Sequence, residues 1–131
     1  MDTLVLENNN EKLKLIACNT TWYQVVYETN KKTMVIGANS IDRILKKLLL
    51  HLFRAEEVET FNYKGIDYFS ILNLMSPHSV IAGRYNKDEE LEIHLLDDSG
   101  NTFHLFTLDK DTRLEWIKLL VEFTIGKILI P

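Results

Sequence analysis

Residues 22–53 decide the fold. They read Trp22-Tyr23-Gln24-Val25-Val26-Tyr27-Glu28, then Thr29-Asn30-Lys31-Lys32, then Thr33-Met34-Val35-Ile36-Gly37-Ala38, then Asn39-Ser40-Ile41-Asp42-Arg43-Ile44-Leu45-Lys46-Lys47-Leu48-Leu49-Leu50-His51-Leu52-Phe53. The first and third pieces show the period-two alternation of half-buried strands. A four-residue loop over 29–32 pairs Glu28 with Thr33 and sets Tyr23, Val25 and Tyr27 beside Met34, Ile36 and Ala38 on one face. A one-residue slip would destroy that match. From Ile41 the period changes: Ile41, Ile44, Leu45, Leu48, Leu49, Leu52 and Phe53 follow the spacing of a buried helical stripe. An amphipathic helix over about 40–54 is expected, capped by Asn39 or Ser40, with Asp42 favourable in its first turn.

The same order, two strands and then a helix, recurs near the other end of the chain. Leu91, Ile93 and Leu95 face Phe103, Leu105 and Thr107 if Asp98-Ser99-Gly100 forms a three-residue loop with Gly100 in the left-handed region. Asp109 or Asp111 caps a helix over about 110–125, and Gly126 is placed to end it. An offset of 69 residues lays Thr33 on Thr102, Leu45 on Leu114, Leu48 on Ile117 and Leu52 on Val121. Duplication would explain this; so would chance recurrence of a common local arrangement.

Between and before these units, Leu4-Val5-Leu6 is a short apolar piece closed by Asn8-Asn9-Asn10, and Leu13, Leu15 and Ala17 alternate as a strand. Residues 58–63 and 66–72 form a hairpin around Lys64-Gly65, and residues 80–85 a shorter strand. No linker rich in Pro, Gly or Ser divides the chain. The expectation is one α+β domain over residues 1–131: a curved antiparallel sheet of about 7–8 strands with two amphipathic helices.

Bulk properties bound the function. With 131 residues, 46% apolar and 26% charged, the chain has ordinary globular composition. Its net charge of −4 disfavours a dedicated nucleic-acid binder, which needs a positive surface to meet phosphates. Cys18 is the single cysteine, so no internal disulfide can form. No signal-peptide pattern or membrane-length apolar run is present, and a soluble cytoplasmic protein is expected.

Catalytic signatures are absent. There is no G-x-S-x-G elbow and no glycine-rich phosphate cradle, and the five glycines are scattered as turns and caps. Cys18 ends an apolar strand, where a small buried thiol is the commoner outcome than a nucleophile. His94 and His104 lie opposite each other on the outer face of the last hairpin, with Glu92 and Phe106 as the neighbouring pair. They are a weak candidate pair for a metal, which would want more ligands; two surface histidines is the simpler account. No enzyme activity, cofactor or metal is expected.

Two binding signals stand out. Lys31, Lys32, Arg43, Lys46, Lys47 and Arg54 face only two acidic residues over 28–54, with Trp22, Tyr23 and Tyr27 close in sequence. Exposed rings beside lysines would suit single-stranded nucleic acid or another anion. The second signal is an apolar excess on the last helix. Leu114, Ile117, Val121 and Ile125 form one stripe, and Trp116, Leu120 and Phe123 another. One stripe can face the sheet; the other needs a partner. Trp116, Leu120 and Phe123, with the tail Ile128-Leu129-Ile130, are the expected contact surface. The leading expectation is therefore a non-catalytic binding or regulatory module acting through protein–protein contact or self-association, with a homodimer plausible.

The element order, four strands and a helix repeated twice, resembles the Whirly and PUR proteins. That resemblance implies single-stranded nucleic-acid binding. Separately, Phe103-His104-Leu105-Phe106 followed by Arg113-Leu114-Glu115-Trp116-Ile117-Lys118-Leu119-Leu120 is similar to the last strand and tryptophan-bearing helix of pleckstrin-homology domains. This second resemblance implies an adaptor role and a sheet that continues through residues 40–54.

Overall fold

In the computed structural model, residues 3–53, 59–75 and 79–129 are described. The strands and helices are β1 (Thr3–Asn8), β2 (Glu11–Ala17), β3 (Trp22–Glu28), β4 (Thr33–Ser40), α1 (Ile41–Phe53), β5 (Thr60–Tyr63), β6 (Ile66–Leu74), β7 (Ser79–Tyr85), β8 (Leu91–Asp97), β9 (Thr102–Leu108) and α2 (Lys110–Leu129). The chain is α+β, as expected, but the single sheet of 7–8 strands is not what forms. Among the described residues nine strands make two antiparallel sheets, β1-β2-β3-β4 and β5-β6-β7-β8-β9. Two sheets facing one interior bury both inner faces, whereas two helices could not cover one nine-stranded sheet. The helix at 41–53 also removes the continuous sheet that the pleckstrin-homology resemblance implied.

One interior serves every element but β5, whose Phe61 and Tyr63 pack in a smaller cluster with Tyr68, Ala82 and Leu96. Leu6, Leu13, Leu15, Tyr23 and Val25 of the first sheet meet Ile71, Leu72, Ile93 and Phe106 of the second, with Ile44, Leu48 and Leu52 of α1 and Trp116 and Leu120 of α2 between them. At one corner Ala38 and Met75 exchange backbone hydrogen bonds at 2.7 and 2.8 Å, tying β4 to the end of β6. At the opposite corner side chains bridge the edges: Asn8 Nδ2 donates to the carbonyl of Thr107 at 3.1 Å, and Trp116 Nε1 to that of Glu7 at 2.9 Å.

Turn chemistry follows the sequence closely. Glu28 pairs with Thr33 across the 29–32 loop. Lys64 and Gly65 both have positive φ, the conformation of a two-residue hairpin turn, and Asn9 turns β1 into β2 with φ 57°. The last hairpin differs slightly: β8 ends at Asp97 and β9 begins at Thr102, with Gly100 in the left-handed region.

Strict alternation fails at three bulges. The register shifts between Val25 and Val26, between Ser70 and Leu72, and between Ile93 and His94. The extra residues are Ile36, Ile71 and Leu105, all buried. A bulge lets a strand turn two consecutive side chains inward. Phe106, expected on the outer face beside Glu92, therefore pairs with Ile93 and is wholly buried, while Glu92 pairs with Thr107. Likewise Val25 faces Gly37, and Gln24 faces Ala38.

The helices start where their caps demand. Ser40 Oγ accepts from the Arg43 amide at 3.4 Å, and Asp109 Oδ1 accepts from the Thr112 amide at 2.8 Å. The second helix runs through Gly126 to Leu129 instead of ending near 125. A glycine inside a helix costs about 1 kcal/mol and does not by itself break it.

Candidate functional site

The two helices occupy corresponding positions but present different faces. The 69-residue offset relates the starts of β4 and β9 (Thr33, Thr102), their bulged residues (Ile36, Leu105) and the starts of α1 and α2 (Ile41, Lys110). In α1 the stripe Ile44, Leu45, Leu48 and Leu52 is buried, and Arg43, Lys46 and Lys47 face solvent. In α2 the buried centre is Trp116 and Leu120, 1% and 0% exposed. Trp116 packs edge-on against Phe106 with centroids 4.9 Å apart, and Phe123 meets Tyr23 at 6.3 Å.

The surface stripe on α2 is consequently the other one. Leu114, Val121 and Ile125 are 48%, 40% and 47% exposed, with Ile117 packed at its inner margin. Their spacing of seven and four residues aligns them along one side of the helix. Glu115, Lys118 and Glu122 lie exposed beside them. This corrects the expectation that Trp116, Leu120 and Phe123 form the contact surface. Both stripes have helical spacing; what separates them is that an indole and a phenyl ring fill the gap between two sheets better than Leu114 and Val121 would. The side chains of Ile128 and Leu129, and Ile130 altogether, lie outside the described residues.

The expected basic patch does not assemble as one surface. Lys31 and Lys32 sit exposed at the tip of the β3–β4 hairpin. Arg43, Lys46 and Lys47 of α1 line a shallow concavity with Asp42 and with Ser40, the last residue of β4. That helix begins at the opposite end of β4, where the Ile41 amide bonds the Thr21 carbonyl, about 20 Å of strand away from the hairpin tip. Arg54 lies outside the described residues. Tyr23 and Tyr27 are core residues, so they supply no stacking platform beside these bases.

The outer face of the second sheet holds the histidines. The β5–β6 hairpin leans onto this face: Phe61, Tyr63 and Val80 pack on Tyr68, Ala82 and Leu96, and the Lys64 ammonium donates to the Gly100 carbonyl. His94 and His104 are opposite each other as expected, with rings edge-on at 5.4 Å. Around them runs a hydrogen-bonded chain. Tyr68 Oη lies 3.3 Å from His94 Nδ1, His94 Nε2 lies 3.1 Å from Glu92 Oε1, and Arg84 Nε lies 3.5 Å from the same oxygen. Burial pushes the His94 imidazole below its ordinary value, against the opposing pull of Glu92. Burial would push Glu92 up, but the hydrogen bond from His94 and the charge of Arg84 hold it below the usual carboxylate range. Burial raises the Tyr68 phenol, so it stays protonated. His104 bonds Thr107 Oγ1 at 2.7 Å instead of joining the chain. Among the described residues no group of three or more His, Cys, Asp or Glu is placed to hold a metal ion. Cys18 is exposed, not buried as its strand-end position suggested.

Among the described residues no helix is long and apolar enough to cross a membrane. Comparison with protein-family models, with curated proteins and with solved structures finds no match to this chain in any of the three.

Proposed function

We propose that this chain is a non-catalytic binding module that works through protein–protein contact, and that the α2 stripe is its contact surface. One observation carries the reading: three large aliphatic side chains, Leu114, Val121 and Ile125, stay exposed along a helix whose opposite face is already spent on the core. A contiguous apolar stripe rimmed by charge is what a docking surface offers, and isolated exposed aliphatics are not. Pairing with a second copy is the simplest form of this contact. Light scattering of the wild type against Val121→Glu tests it. The wild type is expected to associate with rising concentration and the variant to remain a single chain, with unchanged helical circular dichroism. A wild type that stays single at every concentration would sink the self-associating form. Equal association of both proteins would take the stripe out of the interface.

A further inference from the structure

The aliphatic stripe on α2 has two unlike flanks, and the difference bears on how a second copy can lie on it. At about 100° per residue, Leu114, Val121 and Ile125 line up, and Lys110 extends the same line towards the helix start. Asp111, Glu115, Lys118 and Glu122, all exposed, fall on one flank. Among the described residues none of these four is in an ion pair. Lys118 precedes Glu122 by one turn, the weaker order for an ion pair within a helix, so both charges stay available to a partner. The other flank is spent within the chain. Ile117 packs on the core, Thr124 Oγ1 donates to the Leu120 carbonyl, and the Arg113 guanidinium donates to the Tyr85 hydroxyl and lies against its ring.

We infer that two copies pair through this stripe with their α2 helices antiparallel, each Lys118 against Glu122 of the other copy. This arrangement rests on the reading of α2 as the contact surface and adds its geometry. A two-fold axis that runs the helices in opposite directions sets each flank against its own copy. Registering Leu114 on Ile125 of the second copy then brings Lys118 level with Glu122 twice, to within about 1.5 Å along the axis. A parallel pair would set the charged flank against the spent one instead. It would also lay Lys110 beside its own copy, in line with the stripe, where like charges weaken association. Exposed ion pairs are individually weak, so these two select the orientation while burial of the aliphatic side chains supplies the affinity.

The experiment uses the full chain with Cys18→Ser, so that an added cysteine is the only thiol. Nitroxide labels at Glu115→Cys and, separately, at Asp111→Cys are compared by electron–electron double resonance at concentrations where light scattering shows the pair. The separation should be longer by about 10 Å at 111 than at 115, because four residues in each chain draw apart at about 1.5 Å per residue. Equal separations at the two positions would overturn the antiparallel pair while leaving the stripe as the interface. Charge variants supply a second readout by light scattering. Lys118→Glu and Glu122→Lys should each weaken association roughly tenfold, and an equimolar mixture of the two should recover it, since mixing restores both ion pairs only between opposite chains. Unchanged association of the single variants, or no recovery on mixing, would also overturn it. A wild type that stays single at every concentration would remove self-association and this geometry together, and the measured mass tells that failure from a wrong orientation.

Discussion

The instructive contrast is between α1 and α2. They follow corresponding strands, begin 69 residues apart and carry matching aliphatic residues, yet they sit on the core through different faces. Leu45 is buried and its counterpart Leu114 is exposed; Leu52 is buried and Val121 is exposed. Trp116 fills the interior where the corresponding α1 residue, Lys47, lies in solvent. The second helix is turned by about one residue, some 100° of helical rotation. One aromatic side chain inserted between Phe106 and the backbone of Glu7 accounts for the direction of that turn. The outcome is a helix that spends its aromatic side on stability and leaves its aliphatic side for contact.

Substitution at matched positions breaks or sharpens this contrast. The largest effect is expected from Trp116→Ala, which removes a buried indole and its hydrogen bond to Glu7; unfolding by urea should show a loss of about 3–5 kcal/mol. Lys47→Ala at the corresponding place should stay within about 0.5 kcal/mol. Comparable costs at both sites would mean that the helices are not rotated.

Next comes Leu45→Ala, with an expected cost of about 2–4 kcal/mol from the cavity it leaves, against about 0.5 kcal/mol or less for Leu114→Ala. The same pair read by light scattering should reverse, since only the second removes contact surface. The helix caps provide a smaller comparison. Asp109 and Ser40 occupy matched positions, but Asp109 makes the shorter bond, 2.8 Å against 3.4 Å, and carries charge at the helix N-terminus. Asp109→Ala should cost about 1 kcal/mol in thermal or urea unfolding, and Ser40→Ala about half of that.

The smallest effect separates the two sheets by pH. The first sheet has Val26 where the second has His94: each follows its strand's register shift, and they pair with the corresponding residues Val35 and His104. Burial holds the folded His94 imidazole below 6.5, so on acidification the unfolded chain takes up a proton before the folded one does. Stability contributed by neutral His94 is therefore complete above about pH 6.5 and falls as the pH drops towards its lower folded value. Glu92, held low, adds a loss in the same direction at more acid pH. In His94→Gln the fall in urea midpoint just below pH 6.5 should flatten; an unchanged slope would show that His94 is not the titrating group.

Local sequence determined the elements and most of their ends. Period-two alternation, the Lys64-Gly65 and Asn9 turns, the Glu28–Thr33 pairing and the Asp109 cap are all near-neighbour effects, and each was legible without a fold. The partition into two sheets was not legible, because it depends on which strand edges meet across the interior. Nor were the bulges at Ile36, Ile71 and Leu105, since an extra residue is defined only against its partner strand. The candidate surface shows the same division. The spacing of Leu114, Val121 and Ile125 marked an apolar stripe beside a second one at Trp116 and Leu120. Helical periodicity weighs two such stripes equally. The choice between them was made by the shape of the space between the sheets, which takes in the flat rings and turns the aliphatic edge to water.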